Sequence, residues 1–452
     1  MDTQRPLSLN HPGETLALVR RTFGFLPEDS LVVIGLQDGV TGGHLRVDLP
    51  AGAAAAGSGR LRDFAESVAG CLADEEAAPS PGAVLAVLFA PEPARPGESP
   101  YQGLVGALRR SFAERGAQVV RSWYAGGGHI RDYDCREETC CGYPGLDARA
   151  ELRQALQEHP MFAGPDGPPY SSGEGATGGP GQVVARFEET PFDEGLYGAG
   201  EIAQVREAVR AHGRRFARLT REAGRPPYLC VAAWDAAISR AEACGTADWL
   251  AESPDQIAAM LAAVADSGLR DTIIPMAALD FDTAVYGYLA FCAARRTGLE
   301  PAKAAELLGE EGRPVPEDLG PLVEDYQSAF LGQTGRRPDW DRVDALERTL
   351  RMVFAFAEGQ ARPHILGLMG WLEWARGRGS IAGAYIDRCL AEYPEDQLAQ
   401  LIGRYMDVGG ICPWARVKRH SWSWSSRRWK ESSPKFLPPS GNEQQGAPVM
   451  AC

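Results

Sequence analysis

Two hydrophobic periods alternate along the first 160 residues. Leu16, Val19 and Phe23 recur at helical spacing within 14–23, and Pro27-Glu28-Asp29-Ser30 then turns the chain into Leu31-Val32-Val33-Ile34-Gly35-Leu36. That run has the continuous apolarity of a strand buried on both faces. Turn residues at Gln37-Asp38-Gly39 and Thr41-Gly42-Gly43 precede His44-Leu45-Arg46-Val47-Asp48-Leu49, whose strict alternation predicts a half-buried strand folded back as a hairpin. An amphipathic helix is expected over 61–72, followed by a strand over 83–89 that crosses back into the same sheet. A helix over 101–115, ended by Gly116, and a strand over 118–124 come next. Gly126-Gly127-Gly128 invites comparison with a phosphate-cradling loop, but such a loop feeds directly into a helix whose N–H groups face the anion. His129-Ile130-Arg131-Asp132-Tyr133-Asp134 alternates like a strand instead, so the triplet predicts a hairpin turn.

From about 160 to 182 the chain is rich in Gly, Pro and Ser, a composition that holds no helix and reads as a flexible connection. A short strand is expected over 183–187. Beyond it the period is helical, over 199–223, 228–244, 254–266, 269–294, 301–309, 318–331, 340–358, 363–376, 380–393 and 395–407. The expected architecture is therefore an α/β N-terminal domain over 1–160, built on a mixed sheet with flanking helices. The connection over 161–182 leads to an all-α C-terminal domain over 183–414 and a tail over 415–452. Gly370 to Gly379 and the following helix up to Pro394 resemble a repeat-type helix pair, but no second copy stands elsewhere, which favours an irregular bundle over a solenoid.

Composition narrows the function classes. A chain of 452 residues exceeds one ordinary core, and 44% hydrophobic with 23% charged residues is the balance of globular proteins. A net charge of −14 argues against a broad nucleic-acid or anionic-membrane footprint, which needs clustered Lys and Arg. The N-terminal residues lack an apolar signal core, and the most apolar run, 83–90, is far short of the ~20 residues of a spanning helix. A cytoplasmic protein without membrane contact is expected. Ten cysteines in a chain this long are no disulfide framework. The Walker lysine motif, the G-x-S-x-G elbow and the H-E-x-x-H motif are absent, which weakens the common enzyme readings.

Three constellations carry candidate chemistry. Cys135 with Cys140 and Cys141, His129 shortly before them, offers thiols to a metal such as zinc, to a Cys–Cys bridge or to thiol chemistry; adjacent cysteines point apart, however, and no second C-x2-C pair completes a tetrahedron, so small packed thiols are the favoured reading. Arg46 and Asp48 share one strand face beside Glu28, Asp29 and Ser30, and with Asp134 they are the candidate ligand-binding residues; the competing reading is a solvated ion pair. In the tail, Trp414, Trp422, Trp424 and Trp429 interleave with Arg and Lys in a manner suited to stacking on single-stranded nucleic acid, although the Ser- and Pro-rich run reads as a disordered extension or a coding artefact.

The segment from Phe25 to Leu36, Leu45-Arg46-Val47-Asp48-Leu49, the Cys135 and Cys140-Cys141 group, Leu269-Arg270-Asp271 and Gly370-Trp371-Leu372 together resemble the bacterial, largely actinobacterial, family called domain of unknown function 4192. The resemblance spans most of residues 7 to 414 and implies no activity, so it transfers no catalytic residue. The leading expectation is a non-catalytic protein that binds a small ligand or a protein partner, with the helical half offering the contact surface. The rival is an enzyme with its site where the α/β and helical domains join, using Asp48, Asp134 or Cys135; nucleic-acid binding through the tail is a second alternative.

Overall fold

The computed structural model describes residues 7–37, 40–50, 58–72, 82–135, 142–159, 179–189, 199–223, 228–301, 303, 319–408, 410–417 and 419–422. These fall into two compact units, one ending at Gly179 and one running from Pro180 to Trp422.

The first unit is built from helix α1 (Pro12–Phe23), strands β1 (Ser30–Gln37) and β2 (Val40–Asp48), helix α2 (Ser58–Cys71), strand β3 (Ala83–Ala90), helix α3 (Gln102–Ala113), strands β4 (Gln118–Gly126), β5 (His129–Asp132) and β6 (Leu146–Asp147), and helix α4 (Ala148–Glu158). The six strands form one mixed sheet in the order β2-β1-β3-β4-β5-β6. Only β3 and β4 run parallel, with α3 carrying the crossover between them, while the other neighbours are antiparallel. The period of two in the strands sorts the core into two layers. Val32, Ile34, Leu85, Val87, Trp123 and Ile130 pack against Leu16 and Val19 of α1 and Leu152 and Ala155 of α4. Leu31, Val33, Val84, Leu88 and Tyr124 point the other way, onto α2 and α3 through Leu61, Val68, Leu104, Leu108 and Phe112. The sheet centre is covered on both sides, which is why β1 and β3 read as unbroken apolar runs.

The glycine triplet closes a hairpin. Gly126 pairs with His129 across β4 and β5, leaving Gly127 and Gly128 as the two turn residues, both at positive φ (59° and 83°). Two consecutive left-handed residues are what a tight turn matched to strand twist requires. Gly126 itself lies against the loop that follows β3; a Cβ built there would stand 2.0 Å from the Glu92 carbonyl oxygen.

The second unit is helical. It comprises α5 (Pro180–Glu189), α6 (Ala199–Ala223), α7 (Tyr228–Cys244), a 3-10 turn (Asp248–Glu252), α8 (Pro254–Ala265), α9 (Ser267–Ala278), α10 (Phe281–Thr297), α11 (Gly320–Ala329), α12 (Trp340–Phe354), α13 (Ala361–Ala375), α14 (Gly379–Glu392), α15 (Gln397–Asp407) and the single turn α16 (Pro413–Arg416). Two expectations need correction. Residues 183–187 are helix rather than strand: Pro180 opens α5, and Val183, Val184 and Phe187 are buried at helical spacing. Five residues are too few to separate the two periods, and the decisive contacts are distant in sequence, with the Phe187 ring 4.6 Å from that of Phe354 and 5.4 Å from that of Tyr385. The single helix expected over 269–294 is two helices. Leu279 leaves helical geometry, and Asp280 caps α10 by accepting a 2.7 Å hydrogen bond from the Thr283 amide.

At the centre lies α13, apolar around its circumference and buried along almost its whole length, packed by α8, α12, α14 and α15. Two buried cations tie its surroundings. Arg376, at the end of α13, donates to Asp344 and Glu347 of α12 and to Glu373. Burial alone would raise the Glu347 carboxyl, but the charges of Arg376 and Arg351 overcome it and hold it well below the usual carboxylate range. Arg270 of α9 donates to Asp396 over 2.5 Å, and the other Asp396 oxygen caps α15 at the Ala399 amide, 2.8 Å away. The C-terminal segment then returns to the bundle: Trp414 is buried beside Trp340 and Trp371, the Trp340 indole donates to the His420 carbonyl, and Trp422 lies under the Arg376 guanidinium. Among the described residues, no helix is long and apolar enough to cross a membrane.

Candidate functional site

The face of the sheet that carries α2 and α3 has a gap over β4 and β5. Leu88 of β3 aligns with Tyr124 of β4, and Tyr124 with Arg131 of β5, so a buried arginine continues a row that is otherwise apolar. The loop leaving the carboxyl end of β3 forms one wall through Ala94, Glu98, Ser99 and Pro100. Tyr133, Asp134 and Cys135, just past β5, and Tyr143, just before β6, complete a cleft of about 80 Å³. Ligands of open α/β sheets commonly sit in such crevices beside strand ends.

Arg131 is the unusual group. It is only 5% exposed, one Nη donates 2.5 Å to the Cys135 carbonyl, and the guanidinium stacks 3.8 Å above the Tyr143 ring. Among the described residues no carboxylate pairs with it, and its remaining N–H groups open onto the cleft. Neighbouring cations are matched. Arg109 bonds Asp134, and Arg121 bonds Asp132 and Asn10. The two phenols are also committed: Tyr124 Oη donates 2.7 Å to the Glu92 carbonyl and Tyr133 Oη donates 2.9 Å to the Pro100 carbonyl. Burial pushes both up to about 12, with Tyr101 and Glu92 adding to the effect on Tyr124 and Asp134 to that on Tyr133. Both stay protonated at neutral pH.

The ligand candidates read from the sequence are not brought together. Asp134 and Cys135 line the cleft. Arg46 and Asp48 stand on β2, the outermost strand, where they pair with each other over 2.5 Å beside the 28–30 loop, Ser30 lying opposite Asp48. Four strand spacings separate β2 from β5, roughly 19 Å at about 4.8 Å each. Among the thiols, Cys140 and Cys141 lie outside the described residues. His129 and Cys135 sit at opposite ends of β5, and the His129 ring contacts the Gly127 carbonyl at 3.0 Å. Among the described residues no group of three or more His, Cys, Asp or Glu side chains is arranged to hold a metal ion. Of the tail tryptophans, Trp414 and Trp422 pack in the helical unit, whereas Trp424 and Trp429 lie outside the described residues.

Sequence reasoning missed Arg131, Tyr143 and Glu98. A signal for Arg131 existed: it alternates with Ile130 in a strand that follows a tight turn, which puts it on the same face as the buried Tyr124. A mixed α/β sheet with a buried arginine that has no carboxylate partner among the described residues, followed in the chain by a helical unit, is the class of protein that fold and cleft define. The chain belongs to the family described as domain of unknown function DUF4192, whose sequence pattern matches residues 12–310 and 338–410. No curated protein and no solved structure matches it.

Proposed function

We propose that this is a cytoplasmic, non-catalytic binding protein that takes a small anionic ligand, or the anionic end of a larger one, in the cleft around Arg131. The observation that carries this reading is the buried guanidinium without a carboxylate partner among the described residues. A buried cation is costly unless paired, and an arginine fork is suited to planar or tetrahedral oxyanions. The size supports a small occupant. Drug-sized ligands need roughly 300 Å³ or more, several times the space available here. A binding rather than catalytic role is supported by the commitments around the cleft: both phenols donate to backbone carbonyls and are held protonated, and Asp134 is engaged by Arg109.

The test is calorimetric titration of the full chain with acetate and with inorganic phosphate, for the native sequence and for Arg131→Gln. Saturable binding of either anion that disappears in R131Q, with the variant's circular dichroism unchanged, is the expected result. Equal binding by both proteins, or none by the native one, would overturn the proposal.

A further inference from the structure

The cleft carries a second pole. Glu98, on the loop leaving β3, lines it with an exposed carboxylate that has no hydrogen-bond or ion-pair partner among the described residues. Asp134 lies on the same rim, its charge matched by Arg109. A plain anion approaching Arg131 must therefore pass an unmatched carboxylate, which opposes it. A ligand with its own positive group relieves that repulsion and gains a charge-assisted hydrogen bond.

From this juxtaposition of a buried guanidinium and a free carboxylate in one small cleft, we infer that the ligand is a zwitterion: a free α-amino acid or a similarly compact amino-carboxylate, its carboxylate on Arg131 and its ammonium on Glu98. The inference rests on the anion-site reading above and adds the second contact to it. Space agrees with this chemistry. At about 30 Å³ per water the cleft holds the volume of two to three waters, which suits a carboxylate, an α-carbon and an amino group and leaves a side chain to project through the open mouth. With the two phenols turned to backbone carbonyls, the charged groups dominate what a ligand meets. Peptides present the two charges on different residues, several bonds farther apart than in a free amino acid, which a cleft of this size disfavours. Selectivity for a free amino acid over a peptide follows.

The experiment is titration of the full chain with L-alanine, acetate, methylamine and the dipeptide Ala-Ala, using the native sequence, Glu98→Gln and Arg131→Gln. For so few ligand atoms, dissociation constants are expected in the micromolar to millimolar range. L-Alanine should bind about tenfold or more tighter than acetate and Ala-Ala, the usual weight of one charge-assisted contact. E98Q, at an exposed loop position whose side chain makes no hydrogen bond or ion pair among the described residues, should erase that advantage and leave acetate binding equal or stronger. R131Q should abolish both. Equal affinities for L-alanine and acetate in the native protein, or an alanine advantage that survives E98Q, would overturn the zwitterion while leaving the anion site standing. Loss of neither ligand in R131Q would remove the anion site itself.

Discussion

His44 makes the first unit acid-sensitive in a way that can be calculated. It stands on β2 opposite Ile34, on the sheet face shared by Val32 and Leu36, and its Nε2 atom is buried without a hydrogen-bond partner among the described residues. Burial pushes its pKa down to about 4, whereas in an unfolded chain the ring titrates near 6.5. Between those values the unfolded state binds the proton and the folded state does not. The neutral ring therefore adds no penalty above about pH 6.5, and stability falls as the pH drops towards 4. Integrated from pH 7 to pH 5, the loss is about 2 kcal/mol, or roughly a twentyfold change in opening equilibrium. His44→Leu removes the titration and keeps an apolar side chain in place. The assay is hydrogen exchange of peptides spanning β1 and β2 at pH 7 and pH 5, corrected for intrinsic exchange, with H44L as the reference that carries every other titrating group. The native protein should lose about twentyfold more protection than H44L. Equal losses would refute the argument and mean that the folded ring accepts its proton at little cost.

Two further substitutions test the frame around the cleft and the centre of the bundle. Gly126→Ala drives a methyl group into the Glu92 carbonyl, so the 91–93 segment must shift; a loss of about 1–3 kcal/mol is expected, read from exchange in β4 and β5, and undiminished protection would show that the loop yields freely. Arg376→Met leaves Asp344, Glu347 and Glu373 without their shared cation and should cost about 3–5 kcal/mol, measured by urea denaturation with exchange at 340–376, where a change below 1 kcal/mol would refute the pairing argument.

What was legible in the sequence follows the range of the interactions. Local turn chemistry located both hairpins, because Gly127 and Gly128 serve a backbone requirement set by their immediate neighbours. The antiparallel pairing of β1 with β3 was not legible, since it is fixed by packing between segments separated by β2 and α2. Phe187 shows the same limit: its burial depends on Phe354 and Tyr385, about 170 and 200 residues on. At the cleft, Asp134 and Cys135 stood out as residue types, whereas Arg131 reads in isolation as a solvent-facing strand residue. Only its register with Tyr124 reveals burial. Arg46 and Asp48 alternate along one strand, but alternation reports a shared face and not which edge of the sheet carries it.

The return of the C-terminal segment separates two boundaries that are easily assumed to coincide. The family pattern stops at 410, at the residue whose carbonyl accepts the Trp374 indole N–H. The packing does not stop there: Cys412 and Trp414 fill the groove beside Gly332, where even a methyl group would stand 2.5 Å from the Cys412 sulfur, and Trp340 is tied to His420. A chain cut at the end of the family pattern would uncover the indole rings of Trp340 and Trp371 as one sticky surface. The packing of the helical unit thus runs past the last residue that the family pattern covers.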